Sequence, residues 1–216
     1  MAKQSTWPFL LLLLVAGGLW LKDQLSGVGP LSSSVGETVA GWERIEGCRW
    51  VSHDRNDGDS FRLKIPDGRV LEFRLYFVDA PESAFRTYGG GRSNHARIAD
   101  QADAFGIDSS QAVEIGKRAK DFVEDLLASR DLTIFTRWDD PFGDERYHAY
   151  VHLDGHGSEM EWLHERLVEQ GLVRIHTKGS SLPDGTSQGD QTDRLRALQA
   201  VAKEQGLGGW ERPRMR

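Results

Sequence analysis

The stretch that decides the fold is Val70-Leu71-Glu72-Phe73-Arg74-Leu75-Tyr76-Phe77-Val78, followed directly by Asp79-Ala80-Pro81-Glu82. Within it, residues 71–77 place Leu71, Phe73, Leu75 and Phe77 on one face and Glu72, Arg74 and Tyr76 on the other, which is the period of a strand with one buried face. Residues 61–65 alternate in the same way, and Pro66-Asp67-Gly68 between the two stretches has the composition of a tight turn. The sequence therefore predicts a β-hairpin over residues 61–78.

Helix and strand patterns follow one another along the rest of the chain, although residues 79–107 show no clear period. The further predicted elements are a helix over 108–129, strands over 132–138 and 147–153, and helices over 158–171 and 192–205. Short strands of this number are typical of a closed barrel, which leaves no exposed sheet edge. We predict an α+β, mainly β fold: a five-stranded OB-fold barrel with three helices, preceded by an N-terminal hydrophobic signal or anchor segment.

The composition excludes several classes of protein. Of the 216 residues, 38% are hydrophobic and 28% are charged, a balance that supports a folded core and excludes a disordered or collagen-like chain. The net charge of −6 argues against a polycation that coats nucleic acid, so a bound anion needs a local basic patch. The single cysteine, Cys48, excludes an internal disulfide, and the Cys/His spacing of a structural zinc site is absent.

The first 40 residues differ in composition from the rest. Residues 7–21 are apolar and uncharged, shorter than a membrane-spanning helix and of the length of a signal-peptide core. We predict a signal or membrane-anchor segment over residues 1–22, which makes the protein extracytoplasmic, either secreted or anchored. A Gly/Ser-rich tether at 23–40, a domain at 41–210 and a C-terminal tail at 211–216 follow.

Charged side chains cluster where the predicted strands begin or end. Asp59 precedes the hairpin, Asp79 and Glu82 follow it, and Arg74 and Arg146 lie on strands. Taken singly, each has an ordinary explanation as a turn residue or a solvated surface charge. Taken together, they supply carboxylates for a hard cation and a water, and guanidinium groups for phosphate oxygens, as attack on a phosphodiester requires. Spacing alone leaves both explanations open.

Four stretches resemble the thermonuclease, or staphylococcal nuclease-like, family, in the order in which that family has them. They are Asp57-Gly58-Asp59-Ser60, residues 73–82, Arg146-Tyr147-His148-Ala149-Tyr150-Val151 and residues 167–172. The resemblance covers most of the chain beyond the tether. It implies an OB-fold barrel with three helices that cleaves phosphodiesters of DNA and RNA with calcium (Ca2+) as cofactor.

The resemblance also assigns roles to individual residues. Carried over position by position, these are Asp59, Asp79 and the backbone carbonyl of Ala80 as calcium ligands, Glu82 as the group that positions or deprotonates water, and Arg74 and Arg146 as phosphate ligands. An alanine keeps the carbonyl oxygen, so the residue at that position removes no ligand by itself.

Two features depart from the family. The tyrosines that contact the nucleotide there have no evident counterpart at residues 143–145 or 175–177, so we expect substrate affinity or preference to differ. A longer segment also follows Glu82, and its residues 83–99 contain no acid. Its predicted substrate-binding residues are Arg86, Arg92 and Arg97. A solvated insertion without a role in binding is the alternative for this segment.

The predicted function is therefore that of a calcium-dependent nuclease, exported or membrane-anchored, that hydrolyses phosphodiester bonds of DNA and RNA. The predicted partners are a DNA or RNA substrate and a membrane reached through residues 7–21, and no protein partner is predicted. The alternative is a non-catalytic nuclease-like module that binds nucleic acid or protein at the membrane. Stabilisation by calcium on heating would separate the two, because only an intact metal site produces it.

Overall fold

The structure is a computed structural model that describes residues 37–141, 143–153 and 161–211. The predicted signal or anchor segment, including its apolar stretch at 7–21, lies outside these ranges. Within them, no helix has both the length and the apolar character needed to cross a membrane.

Five strands close into the predicted OB-fold barrel. The described residues contain nine strands, of which these five form the barrel. In chain order the nine strands are Glu37–Val39 (β1), Trp42–Trp50 (β2), Ser60–Lys64 (β3), Val70–Leu75 (β4), Val78–Asp79 (β5), Leu132–Thr136 (β6), Arg146–Leu153 (β7), Glu161–Trp162 (β8) and Arg174–Ile175 (β9). The barrel order is β2-β3-β4-β7-β6, and β6 pairs back with β2. Strands β4 and β7 run parallel, whereas the other neighbours in the barrel run antiparallel.

The predicted hairpin is confirmed, with a change at its end. Phe61 pairs with Phe73 and Leu63 pairs with Leu71 across β3 and β4, and the apolar face of both strands points into the barrel. Each fully buried side chain of this kind contributes about 1.5–3 kcal/mol. The second strand ends at Leu75, because Phe77 has a φ of 68°, a left-handed conformation that breaks the strand before β5.

The structure describes four helices: His95–Phe105 (α1), Ser109–Leu127 (α2), Leu163–Glu169 (α3) and Gln188–Gln205 (α4). Helix α2 begins as predicted, with Asp108 and Gln111 forming a reciprocal capping box. Helix α3 begins at Leu163, and Glu161 and Trp162 directly before it pair with β7. The predicted start at Ser158 lies outside the described residues. Helix α4 begins four residues before the predicted start at 192, capped by Ser187. Helix α1 falls in the segment for which the sequence showed no period.

Candidate active site

A cleft of about 750 Å³ opens where β3 begins and where the chain leaves β4. The three predicted catalytic residues, Arg74, Glu82 and Arg146, all line it, together with Asp59. Asp79 lines an adjoining cavity of about 560 Å³ that shares Arg74 and Arg146 with the first. The fold therefore brings the predicted catalytic and carboxylate residues together at one end of the barrel.

Strand register places Arg74 against Asp59. Ser60 pairs with Arg74 across β3 and β4, and the backbone N–H of Leu75 donates to the carbonyl of Asp59 at 2.8 Å. The guanidinium Nη2 of Arg74 then lies 3.0 Å from Oδ2 of Asp59 and 3.0 Å from Oδ1 of Asp79. All three side chains are buried, so Arg74 is the cation that bridges two buried carboxylates.

The two-stranded sheet of β5 and β9 aims Asp79 at this point. Asp79 pairs with Arg174 in the register of that sheet, and Nε of Arg174 donates to Oδ2 of Asp79 at 2.9 Å. The left-handed turn at Phe77 makes this pairing possible, because it redirects the chain away from β4. The backbone of Phe77 is held on both sides. Its N–H donates to the carbonyl of Lys178 at 2.9 Å, and its carbonyl accepts from the N–H of His176 at 2.8 Å.

Helix α2 supports the carboxylate-bearing segments through small residues. A Cβ atom built on Gly116 would lie 2.4 Å from the carbonyl oxygen of Pro81 and 2.5 Å from that of Glu82. A Cβ atom built on Gly58 would lie 2.6 Å from that of Ala119. The helix thus packs directly against both chain segments, and any larger side chain at these glycines would displace them.

Helix α1 contributes two polar side chains, Gln101, which the sequence did not indicate, and Arg97, which was predicted to bind substrate. The buried amide of Gln101 donates to the carbonyl of Ala80 at 2.8 Å and to Oδ2 of Asp79 at 3.0 Å, and its oxygen accepts from the N–H of Glu82 at 3.0 Å. One turn earlier, Arg97 lies 2.9 Å from Oδ1 of Asp79 and 3.0 Å from Oε1 of Glu82. Helix α1 therefore fixes the whole stretch from Asp79 to Glu82.

Arg146 enters the cleft from β7. It pairs with Glu72 in the parallel register of β4 and β7, two pairs before Arg74 pairs with His148. Its Nη2 lies 3.2 Å from Oδ2 of Asp144, and its side chain is 25% exposed. The parallel register thus places the two predicted phosphate ligands on neighbouring strands.

The pKa values of the aspartates of the site shift in different directions. The pKa of Asp57 is raised to about 8, mainly by burial and secondly by the negative charge of Asp59. Burial also raises the pKa of Asp59, although Arg74 opposes it. Burial acts in the same direction on Asp79, yet the positive charge of Arg97 and other donors outweigh it and its pKa is lowered. The positive charge of the site is therefore concentrated around Asp79.

The oxygens predicted to bind calcium already have partners. Oδ1 of Asp79 accepts from Arg74 and Arg97, and Oδ2 of the same residue accepts from Gln101 and Arg174. Oδ2 of Asp59 also accepts from Arg74, and Gln101 occupies the Ala80 carbonyl. Among the described residues, no group of three or more His, Cys, Asp or Glu side chains is arranged to hold a metal ion. The donor atoms are oxygens, as calcium prefers, but cationic and amide N–H groups occupy them, so the residues as they are placed do not fit a calcium ion.

The predicted substrate-binding arginines do not share one location. Arg86 and Arg97 line the cleft, whereas Arg92 is exposed next to the turn at Gly89–Gly91. Tyr88, which the sequence analysis left out, also lines the cleft and is 47% exposed. The segment after Glu82 is therefore partly a wall of the cleft and partly solvated.

A closed five-stranded barrel with arginines and carboxylates gathered in a cleft at its strand ends defines a nuclease-like domain of the OB type. The chain belongs to the staphylococcal nuclease homologue family, whose family model matches residues 72–212. The matched region contains Arg74, Asp79, Glu82 and Arg146, and it begins after Asp59. A search of the curated proteins finds no match.

Proposed function

We propose that this protein is a phosphodiesterase that hydrolyses DNA and RNA in the cleft between β3, β4 and β7. The observation that carries the proposal is that Arg74, Glu82 and Arg146 line one cleft at the end of the barrel. Two guanidinium groups and a carboxylate at one cleft supply phosphate recognition and proton transfer, the two tasks that phosphodiester hydrolysis requires.

The guanidinium groups of Arg74 and Arg146 would bind the non-bridging oxygens of the phosphate. Both are permanently charged. A guanidinium has five N–H groups, and the bonds of Arg74 to Ser60, Asp59 and Asp79 use three of them, so two remain for phosphate oxygens. Negative charge on these oxygens increases as water attacks phosphorus, so the same bonds strengthen in the transition state. This is the difference in binding that accelerates the reaction.

Glu82 would position the attacking water and take its proton. Its side chain is 17% exposed, and its oxygens lie 3.0 Å from Arg97 and 3.1 Å from Asn94, which fixes its orientation. Each carboxylate oxygen retains a lone pair for a water after these contacts. The oxygen of water then bonds to phosphorus, the P–O5′ bond breaks, and the proton leaves with the 5′ oxygen, so the other product carries a 3′-phosphate.

Tyr88 would replace the tyrosines that the family resemblance led us to expect elsewhere. Its half-exposed ring lines the cleft, and an aromatic ring of this kind stacks on any base. Stacking contributes about 1–3 kcal/mol per base and carries little sequence preference. This supports a nuclease that accepts DNA and RNA without selecting a sequence.

The family resemblance implies calcium dependence, whereas the contacts at this site favour hydrolysis by protein side chains alone, and cleavage in excess chelator separates the two. The chemistry that a bound calcium would supply is neutralisation of phosphate charge, but its predicted ligands are bonded to nitrogen donors here, so no step above passes through a metal. We also propose export or anchoring through residues 1–22, which fractionation of cells that express the full chain would test.

The deciding experiment compares Glu82→Gln with Glu114→Gln, the same change at an exposed residue of α2. Plasmid DNA and single-stranded RNA are each digested with calcium, with magnesium and with chelator. We expect Glu82→Gln to lower turnover by about 100-fold or more, as loss of a general base does, and Glu114→Gln to leave it unchanged. Near wild-type turnover in Glu82→Gln would remove the assigned role. A folded wild-type protein that binds nucleic acid without cleaving it would favour the non-catalytic module.

A further inference from the structure

The guanidinium of Arg97 bridges two carboxylates of the cleft. Its Nη2 lies 2.9 Å from Oδ1 of Asp79, and its Nε lies 3.0 Å from Oε1 of Glu82. Charge-assisted bonds of this geometry are strong, and Asp79 is 2% exposed, so solvent screens the pair poorly. One side chain thus joins the residue predicted to bind metal to the residue proposed to activate water.

The same helix satisfies two further oxygens that a metal would need. Gln101, one turn after Arg97 in α1, donates to Oδ2 of Asp79 and to the carbonyl of Ala80. Residues four apart on a helix share a face, so both side chains reach the site together. Helix α1 therefore directs N–H groups at both oxygens of Asp79 and at the Ala80 carbonyl.

Helix α1 is held in this position by packing and by hydrogen bonds. Ile98 and Ala102 are buried against Ala112 and Val113 of α2. Asn94, at the start of α1, is buried and donates to Glu82 at 3.1 Å and to the carbonyl of Ala84 at 2.9 Å. The location of Arg97 is thus set by a docked helix and not by a solvated loop.

Arg97 also remains accessible from the cleft. Its side chain is 42% exposed and lines the same cleft as Arg74 and Arg146. A guanidinium carries five N–H groups, and the two contacts above use two of them. The remaining groups can donate to a phosphate oxygen while the ion pairs to Asp79 and Glu82 stay in place.

We propose that Arg97 is the resident cation of this cleft: it occupies the position of a divalent cation between Asp79 and Glu82 and binds the substrate phosphate together with Arg74 and Arg146. A divalent cation then has to displace Arg97, and the other N–H donor on the oxygen that it takes, before it can bind Asp79. The phosphate-binding half of this inference rests on the proposed function, whereas the competition with a divalent cation does not.

The first test measures calcium binding by isothermal titration calorimetry on the full chain without nucleic acid. Arg97→Gln is compared with wild type, with Arg97→Lys, and with Arg196→Gln, a helical arginine that is paired to Asp193 at 3.2 Å on the exposed face of α4. We expect Arg97→Gln to bind calcium about tenfold or more tightly than wild type, because a like charge at contact distance is removed. Arg97→Lys keeps the charge, so its calcium affinity should lie between those of wild type and Arg97→Gln. The calcium affinity of Arg196→Gln should match that of wild type.

Equal calcium affinity of wild type and Arg97→Gln would overturn the proposal. If a thermal melt shows that Arg97→Gln is unfolded, Arg97→Lys takes its place, and equal calcium affinity of Arg97→Lys and wild type would overturn the proposal. The second test measures cleavage in excess chelator, where we expect wild type to retain turnover and Arg97→Gln to lose it and regain it with calcium. Wild-type cleavage that stops in chelator and returns with calcium would contradict the proposal. Absence of cleavage under every condition would instead reject the proposed function, and the calorimetry would still test Arg97.

Discussion

Replacing Arg74 with methionine should destabilise the fold as well as reduce turnover. Arg74 is buried and donates to Asp59, Asp79 and the hydroxyl of Ser60. Methionine keeps most of the length of the side chain and removes the charge. The cost in free energy of unfolding then depends on how well each carboxylate is compensated after the guanidinium has gone.

The two carboxylates differ in this respect. Asp79 keeps Arg97, Arg174 and Gln101 as donors, so little of the cost arises there. Asp59 keeps only the N–H of Ala80 at 3.0 Å and the hydroxyl of Ser60 at 3.0 Å, which carry no net charge. One buried and uncompensated carboxylate costs about 3–5 kcal/mol, and we expect the lower end of this range because two donors remain.

Urea denaturation of wild type, Arg74→Met, Asp59→Asn and the double variant would measure this cost. The double variant removes both charges, so it should recover most of the stability that Arg74→Met loses. A loss of less than about 1 kcal/mol in Arg74→Met would refute the reasoning, since a solvated arginine costs no more than that. Additive effects of the two single changes would refute the coupling between Arg74 and Asp59.

Two further predictions concern the support of the site. Gly116→Ala should lower the free energy of unfolding by about 1–2 kcal/mol and reduce turnover, because overpacking against the Glu82 backbone outweighs the gain in helix propensity. The control in urea denaturation is Gly189→Ala on α4, where a Cβ atom would meet the Ser187 hydroxyl at 3.7 Å, an ordinary contact distance. Oδ2 of Asp139 accepts hydrogen bonds from the hydroxyl of Tyr76 at 2.7 Å and from Nζ of Lys178 at 2.8 Å, so Asp139→Asn should cost about 1 kcal/mol at pH 7. Burial would raise the pKa of Asp139, but the bond from Lys178 and other donors lowers it overall. The difference in free energy of unfolding between wild type and Asp139→Asn should therefore be fully present above about pH 4 and vanish as the pH falls through the folded-state pKa. An equal difference at pH 2 would contradict this assignment.

The barrel could be predicted because its strands have a simple period. Phe61, Leu63, Phe73 and Leu75 alternate with polar residues in the sequence, and each of them is buried in the structure. The break at Phe77 could not be predicted in the same way, since a left-handed phenylalanine carries no sequence signal. It depends on β9, which lies almost a hundred residues further along the chain.

Helix α1 was missed although a signal for it exists. Ile98, Ala102 and Phe105 follow one another at helical spacing, and all three are buried. Three glycines at 89–91 precede the helix, and mostly polar or small residues separate its apolar positions. Both features are typical of an insertion without regular secondary structure. A test of the spacing i, i+4 and i+7 across residues 95–105 would have indicated the helix, but not the surface on which it docks.

The position of Arg97 is the part of the site that no pattern in the sequence could supply, because it results from how α1 docks on α2. Asp59, Asp79 and Glu82 stand close together in a region of low solvent access, where like charges repel strongly and need a cation nearby. The chain as a whole is acidic, so this cation has to come from a specific residue or from solution. Arg74 compensates Asp59, and Arg97 compensates the pair of Asp79 and Glu82. The inserted segment thus gives the cleft a positive charge of its own at the position where a bound ion would otherwise be required.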